Sequence, residues 1–571
     1  MNSKLLSKVF VSLFVVLCPL SIWAQDVKPV KNVILMITDG TSLSTISLAR
    51  WYQRMLDPTD QKLNIDPYLS GTILTYCSNA PIGDSAPTTS TFMTGIPSIQ
   101  GFVATYPFSD GENDLVPLDK SMEYRPLLTL MNASKILKGK KIGLVATSEF
   151  PHATPADCVA SSYNRGKYEW IVPQMVHNNI DVVVAGGAML LDRSQISFLE
   201  SKGYGVFKDD LNSLKNYQGD KMWSLFGPMD VAYDLDAQKG KDPKIDEMTE
   251  AALRILDKGE NGFMLMVEGS KVDWAAHAND PVGMATEFLA FDRAVKVALD
   301  FAKKDGNTVV IVTSDHGNSG LSIGSNLLKN YAGAPLSEVF GPLTDIKKTS
   351  IGMEAPIQAA DEGKIGEVFM KEAGIELTPH EIEVLSVLRQ LKGLKGKERE
   401  VVVAKAKELG VSTKESARNT GDYTSLSSYI ASIYRDRMKL GFTTGGHTGE
   451  ETILAVYAPT QEQRLMGVNT NIELYDYMHQ LLGMDQSMLD LSKEYYVPHT
   501  ELFKGMKYEI KGETPNEKVL KVMHKRHTLI VKPFTTIVEV DGKKSELPIS
   551  TVYSDKTNQM YLPMAVKDYL K

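Results

Sequence analysis

Apolar residues along the chain cluster into short continuous runs. They fall at Asn32–Thr38, Gly71–Cys77, Lys141–Thr147, Asp181–Ala185, Gly262–Val267, Thr308–Thr313 and Thr452–Tyr457. Each run is rich in Val, Ile and Leu on both faces, as expected of strands in a parallel sheet covered on both sides. Helical periodicity fills the gaps between them. The clearest case spans Val282 to Lys304, where Phe288, Phe291, Val295, Ala298, Leu299 and Ala302 share one stripe. Gly306, following Lys303 and Lys304, supplies the stop signal. Strand, helix and strand in succession imply right-handed crossovers. The predicted fold class is therefore α/β, with a doubly wound, mostly parallel central sheet and helices on both faces.

Two stretches break this rhythm. Residues 320–441 carry helical patterns without a convincing core strand and are predicted to be a mostly helical insertion. Within it, Lys392–Gly410 is charged and amphipathic, the pattern of a solvated helix face. Residues 512–571 alternate apolar and polar positions around Asp541-Gly542, a hairpin signal, and are predicted to form a small β-rich C-terminal appendage. The main domain then spans residues 25–511.

Residues 1–24 read as a secretory signal peptide. Lys4 and Lys8 precede an apolar stretch from Val9 to Ile22, and Ile22-Trp23-Ala24 resembles a cleavage site. That stretch is shorter than the ~20 residues of a membrane-spanning helix. No later run is long and apolar enough to span, so the mature chain is expected to be periplasmic or secreted without a transmembrane helix. Lipoprotein anchoring through Cys18 is disfavoured by Leu17 before it and Pro19 after it.

Composition narrows the chemistry. With 62 basic and 70 acidic residues the net charge is -8, which argues against nucleic acid as a charge-attracted partner. Three cysteines exclude a disulfide scaffold or a cysteine-based zinc ribbon. Cys77 and Cys158 would remain after cleavage, either paired or as free thiols; their spacing does not decide between these. Any metal must be held by His, Asp and Glu.

Three apolar runs end in carboxylates. ILMITDG ends at Asp39, MLMVEG at Glu268, and VVIVTSDHG at Asp315 and His316. In a parallel sheet these ends lie along one edge, where open α/β folds build their sites. A carboxylate beside a buried strand needs compensation, and a metal cation supplies it. One such end is more often a helix cap or a turn; three together favour a shared metal site. Asp273 and His277 are four apart in EGSKVDWAAHANDP and face the same way on a helical turn. His447 sits in GGHTG, just before TILAVYAP. His177, His380, His479, His499, His524 and His527 sit in no comparable context. The segment GDSAPTTSTFMTG places Ser85 at the start of a predicted helix, where the dipole and free N–H groups favour an anion, although Ser85 or Asp84 serving as a plain N-cap gives the same pattern. Ser85 does not sit in a GxSxG elbow of a hydrolase triad, and metal coordination is one way to activate such a hydroxyl.

Taken together, the segments ITDG, GDSAPTTST, HATPADCVASSYNR, EGSKVDWAAH, SDHG and GGHTG resemble the alkaline phosphatase family in its order, from about Asn32 to Tyr457. The resemblance implies hydrolysis of small-molecule phosphate monoesters through a covalent phosphoserine. It casts Ser85 as the nucleophile and Arg165 as the phosphate clamp, eleven residues after Thr154 along a predicted helix. It implies two zinc ions: one held by Asp273, His277 and His447, the other by Asp39, Asp315 and His316 with Ser85. It implies a third ion, usually magnesium, on Asp39, Thr154 and Glu268. His152 and Trp274 fall at positions that vary in the family and tune that third site. His152 as a direct ligand would favour a transition metal there. The resemblance also makes a homodimer an expected assembly. The long span between His316 and His447 departs from the family pattern, and its helices are expected over the site mouth or at a dimer contact.

The alternatives divide by class. A phosphodiesterase or nucleotide pyrophosphatase of the same superfamily is disfavoured by the Thr154, Glu268 and Arg165 set, which suits a monoester dianion. A sulfatase would need a CxPxR-type segment, and Cys77 is followed by Ser-Asn-Ala-Pro. A non-catalytic phosphate-binding surface protein would be expected to have lost the nucleophile or the ligands.

Overall fold

The computed structural model describes residues 27–361, 363–411 and 425–571. The signal peptide expected at residues 1–24, with Cys18, lies outside the described residues. Ten strands build one sheet: β1 (Asn32–Thr38), β2 (Leu69–Leu74), β3 (Lys141–Glu149), β4 (Val182–Gly186), β5 (Gly205–Lys208), β6 (Met222–Phe226), β7 (Phe263–Gly269), β8 (Thr308–Thr313), β9 (Thr452–Tyr457) and β10 (Gly467–Thr470). Their order is β10-β2-β9-β8-β1-β7-β3-β4-β6-β5. All pairings are parallel except those of β9, which runs against both β8 and β2. This is the doubly wound, mostly parallel sheet that the apolar runs predict.

The differences have local causes. The run predicted at Gly71–Cys77 pairs instead over Leu69–Leu74, because the chain turns away before Cys77, whose N–H bonds to Ala80 O. Strands β5 and β10 carry no double-sided apolar signal because they form the two edges and are partly exposed. In β6, Ser224 interrupts an otherwise apolar and fully buried run.

Helices cover both faces. Those that bear on the site are α1 (Leu43–Leu56), α2 (Ser85–Thr94), α3 (Ala153–Asp157), α4 (Lys271–His277) and α5 (Pro281–Asp305). Helix α5 starts at Pro281 under an Asp280 cap that accepts from Val282 N and Gly283 N, and stops at Gly306 in the left-handed region. Alternation along β1 divides the core. Val33, Leu35 and Ile37 face one apolar layer, while Ile34 and Met36 face the other.

Among the described residues of 320–441 the regular elements are mainly helices, at Leu336–Val339, Glu354–Ala359, Ile365–Ala373, Pro379–Leu388, Gly396–Glu408 and Leu426–Asp436. They share a third apolar cluster with Leu48 and Tyr52 of α1 and with Val282, Met284 and Ala285 of α5. The charged helix Gly396–Glu408 buries Ala406 alone, as a solvated face does. At the C-terminus, Lys507–Lys511, Val519–His524, His527–Val531, Ile537–Val540 and Lys543–Glu546 form a five-stranded antiparallel meander. It begins ahead of Gly512, and Asp541-Gly542 makes its last turn with both residues at positive φ. Its inward residues Leu520, Val522, Leu529 and Val531 merge with the layer that holds Val33 and Leu35. Cys77 and Cys158 are buried and free rather than paired.

Candidate active site

The C-terminal ends of β1, β7 and β8 adjoin one another, since β1 pairs with both of the others. Asp39 follows β1, Glu268 sits near the end of β7, and Asp315 and His316 follow β8; all four are fully buried. The strand ends lead into the elements that carry the remaining groups. After β7 the chain enters α4 with Asp273 and His277 on one face, His277 Nε2 lying 3.3 Å from Asp273 Oδ2. Residue 40 must be glycine on two counts. It has φ +60, and a Cβ there would lie 2.3 Å from Asp273 Oδ1.

Three histidines are oriented alike. Nδ1 of His277 donates to Gly445 O at 2.8 Å, that of His316 to Gly317 O at 3.1 Å, and that of His447 to Gly83 O at 3.0 Å. A carbonyl only accepts, so each Nδ1 carries a proton and each Nε2 is left for a second proton or a cation. The Nε2 atoms of His277 and His447 face each other at 3.2 Å. Asp273, His277 and His447 bring one donor atom each within 4.8 Å of one another, as do Asp39, Asp273 and His316, and also Asp39, His152 and Glu268. Asp315 joins through His316, whose Nε2 is 3.2 Å from Asp315 Oδ2 and 3.5 Å from Asp39 Oδ1.

Ser85 opens α2, with Asp84 as its N-cap and Gly95 as its left-handed stop. Its hydroxyl Oγ is 3.5 Å from Asp39 Oδ2 and 3.4 Å from His316 Nε2, so it faces the donor clusters. Arg165 reaches the same place, but not along a helix as predicted. Helix α3 ends at Asp157, and Arg165 lies in a turn before the helix Tyr168–His177. The Ser161-Ser-Tyr-Asn run explains this, because Ser162 Oγ and Asn164 Oδ1 take up backbone groups that a helix would need. The Arg165 guanidinium is braced on two sides, Nη1 at 3.1 Å from Asp84 Oδ1 and Nη2 at 3.0 Å from His152 Nε2. Arginine only donates, so His152 Nε2 accepts. Trp274 packs edge-on against His152, with ring centres 6.0 Å apart.

The electrostatics mark the site as lacking positive charge. Burial, reinforced by Asp315, Asp273 and Glu268, holds the Asp39 carboxyl well above its usual range. Burial likewise pushes Glu268 up to about 8. Although burial opposes its ionisation, Asp273 is held below the usual range by His277, His447 and His316. His316 is buried, yet Asp315 and Asp273 raise it to about 9. The proton there occupies the position a cation would take. Burial and Arg165 lower His152 to about 4, so its ring is neutral. Asp39 Oδ1, Glu268 Oε1, Asp315 Oδ2, Asp84 Oδ2 and Thr154 Oγ1 are buried without a hydrogen-bond partner. So many orphaned oxygens in one place fit oxygen-coordinated cations.

The structure thus gathers Asp39, Glu268, Asp273, His277, Asp315, His316 and His447 with Ser85, and sets Arg165 and Trp274 against His152 beside them. Two more belong to the arrangement. Asp84, read from the sequence only as a cap, also braces Arg165 and forms a donor cluster with His316 and His447. Asn318 donates to Asp273 Oδ1 at 2.7 Å and is fully buried. Its signal was an amide two residues beyond His316, which only the folded loop connects to Asp273.

A family model described as alkaline phosphatase matches residues 30–484. Alkaline phosphatase 3 of Bacillus subtilis (strain 168) is 31% identical over 450 residues, covering 76% of this chain and 85% of its own length. Alkaline phosphatase 4 of the same organism is 30% identical over 472 residues, covering 80% and 90%. The crystal structure of a cold-active alkaline phosphatase from a psychrophilic Shewanella sp. superimposes with a TM-score of 0.64 at 25% identity, covering 79% of this chain and 99% of the other.

Proposed function

The chain belongs to the alkaline phosphatase family and is a metal-dependent phosphoester hydrolase; on that premise we propose that it hydrolyses phosphate monoesters through a covalent phosphoserine on Ser85. The observation that carries this reading is the placement of Ser85 Oγ at a helix N-terminus, within 3.5 Å of Asp39 and 3.4 Å of His316. The clusters of ligand atoms support bound cations. Asp273, His277 and His447 would hold one zinc, and Asp39, Asp315 and His316 a second beside Ser85. Asp39, Thr154 and Glu268 would hold magnesium, with His152 and Trp274 tuning that position. When bound, such cations supply Lewis acidity and stabilise charge on the attacking and leaving oxygens.

The chain's own groups do the rest. Arg165, kept in place by Asp84 and His152, binds two phosphate oxygens through its planar fork. Ser85 Oγ, its proton directed at Asp39 Oδ2, attacks phosphorus from the α2 N-terminus, where free N–H groups favour the anion. The ester P–O bond breaks and the alcohol leaves with a proton. Water then attacks the phosphoserine, its P–O bond to Ser85 breaks, inorganic phosphate leaves, and Ser85 regains its proton.

Hydrolysis of a monoester, a diester and a sulfate ester, with and without chelator, tests the reading. Monoester turnover that survives chelation would overturn the cation assignment. Preferential turnover of the diester would move the chain to a phosphodiesterase. Ser85→Ala is expected to abolish a labelled phosphoenzyme, and label persisting in that variant removes Ser85 as nucleophile. Metal analysis of His152→Asp tests the third position, where unchanged metal content would remove His152 as a tuning residue.

A further inference from the structure

Lys271 opens α4 and is fully buried, although a buried ammonium is costly unless it is paired. Its Nζ donates to Asp230 and lies 4.2 Å from the Tyr233 ring centre and 4.7 Å from that of Trp274. Asp230 and Tyr233 belong to the loop after β6, which Val231 N ties to Thr147 O of β3 at 3.1 Å. Lys271 and Trp274 are three residues apart on α4 and share a face. Trp274 is only half-buried, and the cation holds its indole to that buried loop. Trp274 in turn packs against the His152 ring, centres 6.0 Å apart, and His152 Nε2 accepts from Arg165 Nη2 at 3.0 Å. A continuous stack thus runs from the buried cation to the guanidinium through Trp274 and His152. Asp84 fixes the guanidinium on its other side, through Nη1. With no exposed surface, Lys271 cannot touch a substrate itself.

We propose, resting on the phosphate-clamp role given to Arg165 above, that Lys271 is a positioning residue for that clamp. It pins Trp274, Trp274 limits the tilt of the His152 ring, and His152 holds Arg165 Nη2 so that the remaining N–H groups of the fork face phosphate. Without the cation the indole is free to turn toward solvent, the His152 ring loses its wall, and the fork samples orientations that engage a single oxygen. A lysine that only stabilised the fold would instead lower the melting temperature without acting through Arg165.

The test is calorimetry of inorganic phosphate binding to the holoprotein in four forms: the parent, Lys271→Met, Arg165→Ala and the double variant. Methionine keeps an unbranched side chain and removes the charge. The Kd is expected to rise about tenfold in Lys271→Met. The same change made on Arg165→Ala is expected to add less than about twofold, because the clamp through which it acts is gone. Monoester kinetics should show the matching split, with KM rising and kcat nearly unchanged. Unchanged phosphate affinity in Lys271→Met, or an equal loss in both backgrounds, overturns the proposal. If Lys271→Met does not fold, Asp230→Asn replaces it, at a side chain 38% exposed. That variant keeps the cation but loosens its anchor, and should weaken phosphate about threefold only where Arg165 is present; no weakening overturns the proposal. Phosphate binding needs no turnover, so a wrong nucleophile or ester class leaves this test standing. Affinity unchanged in Arg165→Ala removes the clamp itself, and the proposal with it. A monoesterase whose phosphate affinity ignores Lys271 overturns this inference alone.

Discussion

The helical insertion and the C-terminal meander both add to the central sheet, but they attach differently. The meander shares its core with the sheet. Its Leu520, Val522, Leu529 and Val531 belong to the same apolar layer as Val33, Leu35 and Ile37 of β1. Phe534 stacks on Trp170 of the main domain, centres 5.7 Å apart and planes 15° apart. The insertion instead packs on helices, joining α1, α4 and the start of α5 in a cluster that contains no strand of the central sheet. One addition is part of the fold's foundation. The other is a separate apolar unit that stands next to the chemistry and lines a cleft with Asn279 and Gly445. Position relative to the sheet, more than size or composition, sets whether an added segment carries stability or shapes a site.

The comparison can be broken most directly by removing residues 507–571, which would expose one apolar layer of the sheet. Soluble, cooperatively melting protein is not expected, and a truncated chain that melts at the parent temperature would show that the meander is dispensable. Trp170→Ala, at a residue 3% exposed, should cost about 3–5 kcal/mol of global stability, measured by denaturant unfolding. In the insertion, Phe369 is fully buried and meets Tyr434 edge-on at 5.9 Å. Phe369→Ala should open the insertion's amides to hydrogen exchange while shifting global unfolding by only about 1–2 kcal/mol, because the sheet's two layers are untouched. Equal protection loss in β1 and in the insertion would erase the distinction.

Acid should act at the meander. His177 lies under Thr535 and Thr536 and against Phe198, ring centres 4.1 Å apart, with Glu546 and Lys202 as the charged groups facing it. Burial, and to a lesser degree Lys202, lower it to about 4. The folded protein therefore keeps this ring neutral where the unfolded chain takes up a proton. The stability this group contributes is complete above about pH 6.5 and is lost as pH falls from there toward 4, by about 3 kcal/mol. The parent should lose stability relative to His177→Leu over that window, and the difference between the two should stay flat above pH 7. The smallest effect concerns the Lys202–Glu546 pair across the same junction, whose side chains are 31% and 36% exposed. Lys202→Ala should change stability by less than about 1 kcal/mol, and less at high salt.

The strands were legible wherever both faces are apolar, which is why β1, β7 and β8 and the carboxylates at their ends could be read directly. The edge strands β5 and β10 lack that pattern because one side meets solvent. Helix α4 put Asp273 and His277 on one face by spacing alone. Arg165 was placed at the site but on the wrong element, since its position rests on side-chain bonds from Ser162 and Asn164 that periodicity does not report.

By itself, the sequence determined which residue types stand at the ends of which strands, because backbone periodicity and short-range caps are local. The tertiary structure decided what those residues face. It alone brings Asp84 and His152 to opposite sides of Arg165, turns three Nε2 atoms away from their carbonyl partners, hangs Asn318 on Asp273 and opens a cleft between the two ends of the insertion. The contacts of Arg165 with Asp84 and His152, of Asn318 with Asp273 and of His447 with His277 join residues 13 to 170 positions apart, and no local pattern specifies a pairing that the crossovers of the sheet create.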